Sequence, residues 1–368
     1  MPAETVRMAV IGCGRIAGHH CRRLLEVKGA RVAAVCDLVE EKAGALGREI
    51  GVPFFTNYHE MLKAHPDINV VVIATPSGMH AEHAQDVLKR YRRNVVVEKP
   101  TFMRPSQLTE TYELAKSLGL HVFPVFQNRH NRAVSRVRKA ILDGELGAIR
   151  IMAVRVRWCR PQRYYDLAPW RGTFAQDGGA LTNQGIHHVD LLRYLGGEVQ
   201  AVNATMRTLG AKIEVEDTAV ATMTYSTGAV GVLEVTTSAR PDDFEASLSV
   251  VCDKGLAQLG GIAVNELQIF TPDPSACAQH SEDFSRNVYG LGHAEVYKQI
   301  VGFFEKGEPF SVDREDCSKT IGLLHAFYRS DEARGWVDVA GGAESARLGR
   351  PDEELAKIYR TPLPKESS

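Results

Sequence analysis

The sequence predicts a two-domain α/β protein. An N-terminal, doubly wound parallel sheet is followed by an α/β domain on a large, mostly antiparallel open sheet. Three observations carry that prediction. A short apolar run, Arg7-Met8-Ala9-Val10-Ile11, leads straight into Gly12-Cys13-Gly14-Arg15-Ile16-Ala17, the G-x-G-x-x-A pattern that joins a strand to a helix where a dinucleotide binds. β-Branched runs then alternate with helical stretches as far as about residue 125, which builds a parallel sheet. From residue 149 mostly consecutive strands follow, the habit of an antiparallel sheet. The expected domains are 1–125 and 126–368.

In the first domain each element has its own warrant. Gly12 allows the tight turn after the first strand, Gly14 lets the backbone approach a pyrophosphate, and small Ala17 lets the helix pack closely on the sheet. The helix, expected over 16–27, offers its N-terminal N–H groups to phosphates. Gly12, Cys13, Gly14, Arg15 and Ile16 are therefore candidate cofactor contacts. The next strand, 31–36, ends at Asp37, about 25 residues after Gly12 and close to the ~20 expected for an acid that binds a ribose diol. An acid there repels a 2′-phosphate and favours NAD over NADP; its plain alternative is a helix N-cap ahead of Glu40-Glu41-Lys42. The buried run 70–74 ends at Thr75 and Pro76, where a nicotinamide ribose is expected. Ser77-Gly78-Met79-His80 then enters a helix over 81–90, which leaves His80 two roles, cofactor contact or helix cap.

The run Asn94-Val95-Val96-Val97 is a further buried strand, closed by Glu98-Lys99-Pro100. Open α/β sheets bind ligands at the carboxyl ends of their strands. A lysine beside a nicotinamide can hydrogen-bond a substrate hydroxyl and tune its acidity, so Lys99 points to an oxidoreductase. Glu98 and Lys99 also join the candidate cofactor contacts. The alternative is that Lys99 caps its strand in solvent. A helix over 107–117 and a strand over 121–125 complete this domain.

The pattern changes at Gln127-Asn128-Arg129-His130-Asn131-Arg132. A basic helix, 133–143, follows. Arg132, Arg136, Arg138 and Lys139 resemble a nucleic-acid patch, but they lack interleaved aromatics and point instead to a solvated face or a subunit contact. Strands are expected at 149–157, 199–207, 218–225, 229–238, 246–252, 255–260 and 266–270. A loop over 271–285 and helices over 294–305 and 314–333 close the fold.

Two segments of the second domain concentrate chemistry. Trp158-Cys159-Arg160-Pro161-Gln162-Arg163-Tyr164-Tyr165 mixes cations, aromatics and an amide directly after a strand. That mixture suits an anionic, partly planar ligand such as a sugar nucleotide, unless it is simply an exposed loop. Arg160, Gln162, Arg163 and Tyr165 are its candidates. The other segment runs from Trp170-Arg171-Gly172-Thr173 to Asp190. A helix over 182–194 places Asn183, His187 and Asp190 at i, i+4 and i+7, on one face. Histidine exchanges protons near neutral pH, so His187 is the acid/base candidate, with Asn183 positioning substrate. A packed core histidine is the alternative, and adjacent His188 would take the site if the phase slipped by one residue. No second His/Glu pair has ligand spacing, so no metal is expected.

The chain has 368 residues with 44% hydrophobic and 24% charged residues, which describes a globular protein of two ordinary domains. A formal charge of −1 gives no general pull toward nucleic acid or anionic membrane. No apolar run approaches the ~20 residues that span a bilayer. The N-terminus, Met1 to Arg7, enters a strand at once without a signal-peptide core. The seven scattered cysteines form no C-x-x-C pair and read as reduced thiols. A cytoplasmic location is expected.

At these residues the chain closely resembles the Gfo/Idh/MocA oxidoreductases. The glycine loop, Ala74-Thr75-Pro76, Glu98-Lys99-Pro100 and Gly178-Gly179 with His187 and Asp190 match family signatures in order and spacing. The resemblance implies a Rossmann domain with NAD, a second domain whose large sheet carries the oligomer contact, and a homo-oligomer, dimer or tetramer. The segments Gln127-Asn128-Arg129, Arg160-Pro161-Gln162, Tyr164-Tyr165-Asp166, Trp170 to Thr173, Thr182-Asn183-Gln184, Glu214 to Thr218 and Val264-Asn265-Glu266 narrow it. They are similar to UDP-N-acetylglucosaminuronate 3-dehydrogenases of the WlbA type. Many members of the broader family have Asp where this chain has Asn183, and the uronate dehydrogenases share the departure. The narrower resemblance implies oxidation of a sugar 3-hydroxyl to a ketone, which an aminotransferase then converts to an amine for bacterial surface polysaccharide. It implies that Lys99 and His187 remove the hydroxyl proton of a UDP-sugar held in the cleft between domains. Asn128, Arg160, Gln162, Arg163, Tyr165, Arg171, Asn183 and Gln184 would bind that sugar nucleotide. In related enzymes 2-oxoglutarate regenerates NAD. Two other readings stand beside it: a dehydrogenase of a free sugar or a cyclitol such as inositol, and a non-catalytic NAD-binding regulatory protein.

Overall fold

The computed structural model describes residues 6–285 and 289–364. Residues 1–5, expected to lead straight into a strand, lie outside the described residues. The chain divides into two compact units. One comprises residues 6–125, 293–317 and 351–364, the other 126–285, 289–292 and 318–350.

The first unit is built on strands of β-branched residues buried on both faces, as parallel strands covered by helices must be. In chain order it contains β1 (Val6–Ile11), α1 (Arg15–Leu25), β2 (Ala30–Cys36), α2 (Glu40–Ile50), β3 (Phe54–Phe55), α3 (Tyr58–Ala64), β4 (Val70–Ile73), α4 (His80–Asp86), β5 (Asn94–Val97), α5 (Pro105–Ser117) and β6 (Val122–Pro124). The six strands are parallel in the order β3-β2-β1-β4-β5-β6, a doubly wound sheet whose order reverses between β1 and β4. The register aligns the strand ends. Cys36, Ile11, Ile73 and Val97 form one row across β2, β1, β4 and β5. The next residues, Asp37, Gly12, Ala74 and Glu98, therefore emerge together at the carboxyl edge. The helix expected over 81–90 is α4 continued by a π-helical turn, Val87–Tyr91.

The second unit opens with a 3-10 turn, Gln127–His130, and α6 (Arg132–Leu142). β7 (Ile149–Arg157), α7 (Gln162–Tyr165) and α8 (Ile186–Gly196) precede β8 (Val199–Arg207), β9 (Thr218–Tyr225), β10 (Val230–Thr236), β11 (Glu245–Cys252), β12 (Leu256–Gly260) and β13 (Glu266–Phe270). With β14 (Val337–Asp338) these strands form one sheet in the order β13-β12-β11-β7-β10-β9-β8-β14. Only β7 and β10 pair in parallel.

Several expectations are corrected. The loop expected over 271–285 contains a short helix, α9 (Ala276–His280). The second unit is not the contiguous run 126–368. Most of α10 (Gly292–Lys306) and the first residues of α11 (Arg314–Ala333) belong to the first unit. Val296, Tyr297, Ile300 and Val301 pack there with Val10, Val35 and Val72. α12 (Glu353–Lys357) also lies in that unit, where Arg360 pairs with Glu82. The basic residues of α6 are engaged locally. Arg136 pairs with Glu145 and lies over Phe270, Arg138 lies over Tyr194, Lys139 pairs with Asp143, and Arg132 donates to the Gln279 carbonyl. Among the described residues no helix is long and apolar enough to cross a membrane.

Candidate active site

At the carboxyl edge of the first sheet, backbone crowding fixes the turn after β1. Gly12 has φ +94°, and a Cβ there would meet the Ala74 carbonyl oxygen at 2.5 Å, so no other residue fits. Gly14 caps α1 without any side-chain hydrogen bond, and the first turn of α1 holds no acid. The Ala17 N–H donates to the Gly14 carbonyl at 3.1 Å, while among the described residues the N–H groups of Arg15 and Ile16 are left for an anion. Asp37, next to Gly12 across the sheet, is held by two N–H donors: Cys13 to Oδ2 at 2.7 Å and Val39 to Oδ1 at 2.9 Å. Burial first, and the Asp37 charge second, push the Cys13 thiol up, so it stays protonated. An unblocked helix N-terminus, a glycine turn and a fixed acid at the end of β2 fit a dinucleotide diphosphate and an adenosine ribose diol. Arg15 and Ile16 open the same helix turn.

Lys99 follows β5 in a turn with a cis Lys99-Pro100 bond. Two of its neighbours, expected to be cofactor contacts, do something else. His80 is buried, and its ring nitrogens meet the Pro100 carbonyl at 2.9 Å and the Thr75 carbonyl at 3.0 Å. A neutral imidazole donates from one nitrogen only, so His80 hydrogen-bonds one of these carbonyls and packs against the other, bridging the ends of β4 and β5. Glu98 is buried too; Oε1 meets His20 Nε2 at 2.9 Å, and Oε2 accepts the Lys99 N–H at 3.0 Å. Burial alone would raise the Glu98 carboxyl, but the hydrogen bond from His20 and the neighbouring His293 ring hold it well below the usual range. The Thr75 hydroxyl meets His83 Nδ1 at 3.0 Å, and Pro76 leads into the turn before α4.

In the second unit the expected helix over 182–194 is interrupted. A π-helical turn, Ala180–Gln184, ends at Gly185, and α8 starts at Ile186. The wide turn changes the phase between Asn183 and His187. Asp190 does not share a polar face with them. It is buried, bound by Arg129 through Nε at 2.7 Å and Nη2 at 2.5 Å, and accepts the Thr320 hydroxyl at 2.8 Å. His187 is half-buried, its Nε2 3.0 Å from Gln127 Nε2. His188 is buried edge-on to Trp158, and burial pushes its imidazole down to about 4. The more accessible histidine of the pair is therefore His187.

The π turn is anchored from below. Glu216 is buried; its carboxylate accepts the Leu181 N–H at 3.0 Å and the Tyr328 hydroxyl at 2.8 Å. Burial pushes this carboxyl up to about 8, against those hydrogen bonds. Gly179, at φ +78°, packs directly on it and has no room for a Cβ. The turn so held presents Asn183 and Gln184. The Asn183 amide donates to Asp177, and Gln184 Nε2 donates to Asn183 Oδ1 at 3.1 Å and to the Tyr164 hydroxyl at 3.1 Å. Arg160 donates to Asp243 at 2.8 Å and to Gln184 Oε1 at 3.2 Å, with Trp158 and Tyr164 beneath its guanidinium. Arg171 donates to the Tyr164 hydroxyl at 2.5 Å and stacks on Tyr164 and Trp170.

The cluster thus gathers Arg160, Arg171, Asn183 and Gln184 around Tyr164, a residue absent from the sequence-based candidates. Tyr165, chosen instead, is buried with its hydroxyl on Thr237 at 2.9 Å. The four-residue α7 is too short to show a helical period, so nothing in the sequence separated the two tyrosines. Gln162 bridges Asp166 and the Lys212 N–H, Arg163 is exposed, and Asn128 is buried in the 3-10 turn beside Gln127. Gln127 and Asp177 also escaped notice as direct partners of His187 and Asn183.

Residues 6–126 match the model of the oxidoreductase family with an NAD-binding Rossmann fold, and residues 134–258 match the GFO/IDH/MocA C-terminal domain. The crystal structure of the WlbA dehydrogenase of Bordetella pertussis, in complex with NADH and UDP-GlcNAcA, is 33% identical, with a TM-score of 0.83 over 92% of this chain and 99% of that one. The corresponding Chromobacterium violaceum complex is 34% identical, with a TM-score of 0.82 over 92% and 97%. The myo-inositol 2-dehydrogenase of Thermotoga maritima is 24% identical over 89% of this chain and 97% of its own.

Proposed function

The chain belongs to the Gfo/Idh/MocA oxidoreductases and is an NAD-dependent sugar or polyol dehydrogenase; from that premise we propose that it oxidises the 3-hydroxyl of UDP-N-acetylglucosaminuronate, or a close UDP-sugar, to the ketone. The cluster of Arg160, Tyr164, Arg171, Asn183 and Gln184 carries this reading. Two guanidiniums stacked on aromatic rings, beside two amides, suit the anionic groups and hydroxyls of a sugar nucleotide. Arg160 already has the Asp243 carboxylate as a partner, whereas a neutral cyclitol would offer Arg171 no anion. Relatives at 33–34% identity hold UDP-GlcNAcA, which supports the same choice.

NAD, held by Gly12 to Ile16 and Asp37, supplies a hydride acceptor when bound. We assign Lys99 the proton of the substrate 3-hydroxyl and His187 the role of acid/base partner. Gln127 orients the His187 ring. Asn183 and Gln184 hold sugar hydroxyls, while Arg160 and Arg171 take the carboxylate or diphosphate; Arg163 is available to the same groups. The product would feed an aminotransferase of surface-polysaccharide synthesis, with 2-oxoglutarate as a route for NADH recycling. We also propose that copies associate through the eight-stranded sheet. Inositol oxidation is the second reading, favoured by the Thermotoga maritima relative. Thermal shift separates the two: UDP alone stabilises the protein on the first reading and not on the second, whereas myo-inositol adds to the shift given by NAD alone only on the second.

A further inference from the structure

We propose that His20, backed by Tyr297, is a positioning residue for Lys99, acting through Glu98. Sequence motifs did not single it out, and the proton transfer assigned to Lys99 and His187 does not use it. This inference rests on Lys99 being the proton acceptor.

The first unit buries a cluster of ionisable side chains. Among the described residues, His20, Glu98 and His293 bring ligand-type atoms within 4.8 Å of one another. His293 Nε2 lies 3.6 Å from Glu98 Oε1, and its ring packs edge-on against those of His19 and His20. His20 Nε2 is 2.9 Å from Glu98 Oε1, and its Nδ1 is 2.6 Å from the Tyr297 hydroxyl. An ionised carboxylate only accepts, so His20 Nε2 carries a proton to Glu98. Nδ1 then accepts from Tyr297. Every donor in this chain has an acceptor: Tyr297 to His20, His20 to Glu98. The second Glu98 oxygen takes the Lys99 N–H at 3.0 Å.

The consequence is geometric. β5 fixes the Glu98 backbone, whose N–H donates to Ile73 at 3.1 Å. One residue on, the Glu98 carboxylate holds Lys99. That carboxylate can hold the turn only if its other oxygen is pinned, and His20 pins it. His20 stands on α1, the helix that begins at Gly14. The element that meets the cofactor diphosphate therefore also sets the backbone from which Lys99 extends. α10 supplies the rest of the cluster, with His293 and Tyr297 one turn apart.

The test compares His20→Leu, which removes the donor, with His20→Gln, whose amide nitrogen replaces Nε2. Each is made alone and with Lys99→Met, and is assayed with UDP-N-acetylglucosaminuronate and NAD. The expected result is a kcat loss of about 10- to 100-fold in His20→Leu, the rate equivalent of one hydrogen bond to a charged group. KM and the NAD Kd stay within about threefold, and His20→Gln recovers most of the loss. In the Lys99→Met background His20→Leu costs nothing further, because its effect passes through Lys99. Full turnover in folded His20→Leu, equal losses in the Leu and Gln variants, or additivity with Lys99→Met would each overturn the inference. So would a stoichiometric metal ion in the purified protein, since Nε2 would then be a ligand rather than a donor. Normal turnover in Lys99→Met alone would overturn the Lys99 assignment itself, whereas an inactive Lys99→Met beside a fully active His20→Leu overturns only the role of His20.

Discussion

On the proposed reading, the side chain of Asp37 sets the cofactor preference. Its carboxylate is held at the end of β2 by the Cys13 and Val39 N–H groups. A fixed anion there repels a 2′-phosphate and accepts from a ribose diol. Asp37→Ser should therefore shrink the ratio of kcat/KM for NAD over NADP by at least about tenfold; an unchanged ratio would remove Asp37 from the ribose site. This residue was legible because its place follows from the spacing of strand, glycine loop and strand. Lys99 was legible for the same reason. Glu98 reads as a cofactor contact and His80 as a cofactor contact or a helix cap, whereas both side chains are buried against partners of the first unit. A motif fixes where the backbone goes, while the direction of a side chain is settled by partners distant in sequence, such as His20.

At the scale of the element, the π turn Ala180–Gln184 decides the second half of the site. Sequence periodicity led to a regular helix there, because a π turn leaves no compositional mark. Its anchor, Glu216, lies on the segment just before β9 and could not be paired with residue 181 from the sequence. The buried carboxyl ionises near 8 in the folded chain and near 4.5 ordinarily. Between those values the folded chain holds a proton that the unfolded chain has released, so stability falls as pH rises, by at most about 1.4 kcal/mol per unit. Glu216→Gln stays neutral throughout. From pH 5 to pH 8 its stability in urea should gain on the parent protein by at least about 1 kcal/mol. Parallel curves would show that Glu216 ionises freely in the fold.

For the whole molecule, the sequence made both sheets legible, since strand runs of the right period and turn residues mark them. It did not reveal that 293–317 joins the first unit: an amphipathic helix shows that it has an apolar face, not which core receives it. The second sheet leaves an apolar row on its open face. Val251, Ile151 and Val230 lie side by side across β11, β7 and β10, with Val232 two residues along, and all four are exposed. If copies associate through this face, Val230→Asp with Val232→Asp should yield a smaller species in light scattering while NAD still binds. An assembly of unchanged size would place the contact elsewhere. The central claim is tested most directly by turnover of UDP-N-acetylglucosaminuronate with NAD, followed by mass spectrometry and NADH absorbance. The account predicts NADH together with a product two hydrogens lighter, and a loss of about 10²–10⁴-fold in Lys99→Met. Failure to oxidise this sugar nucleotide while myo-inositol is oxidised, or near-normal turnover in Lys99→Met, would contradict it.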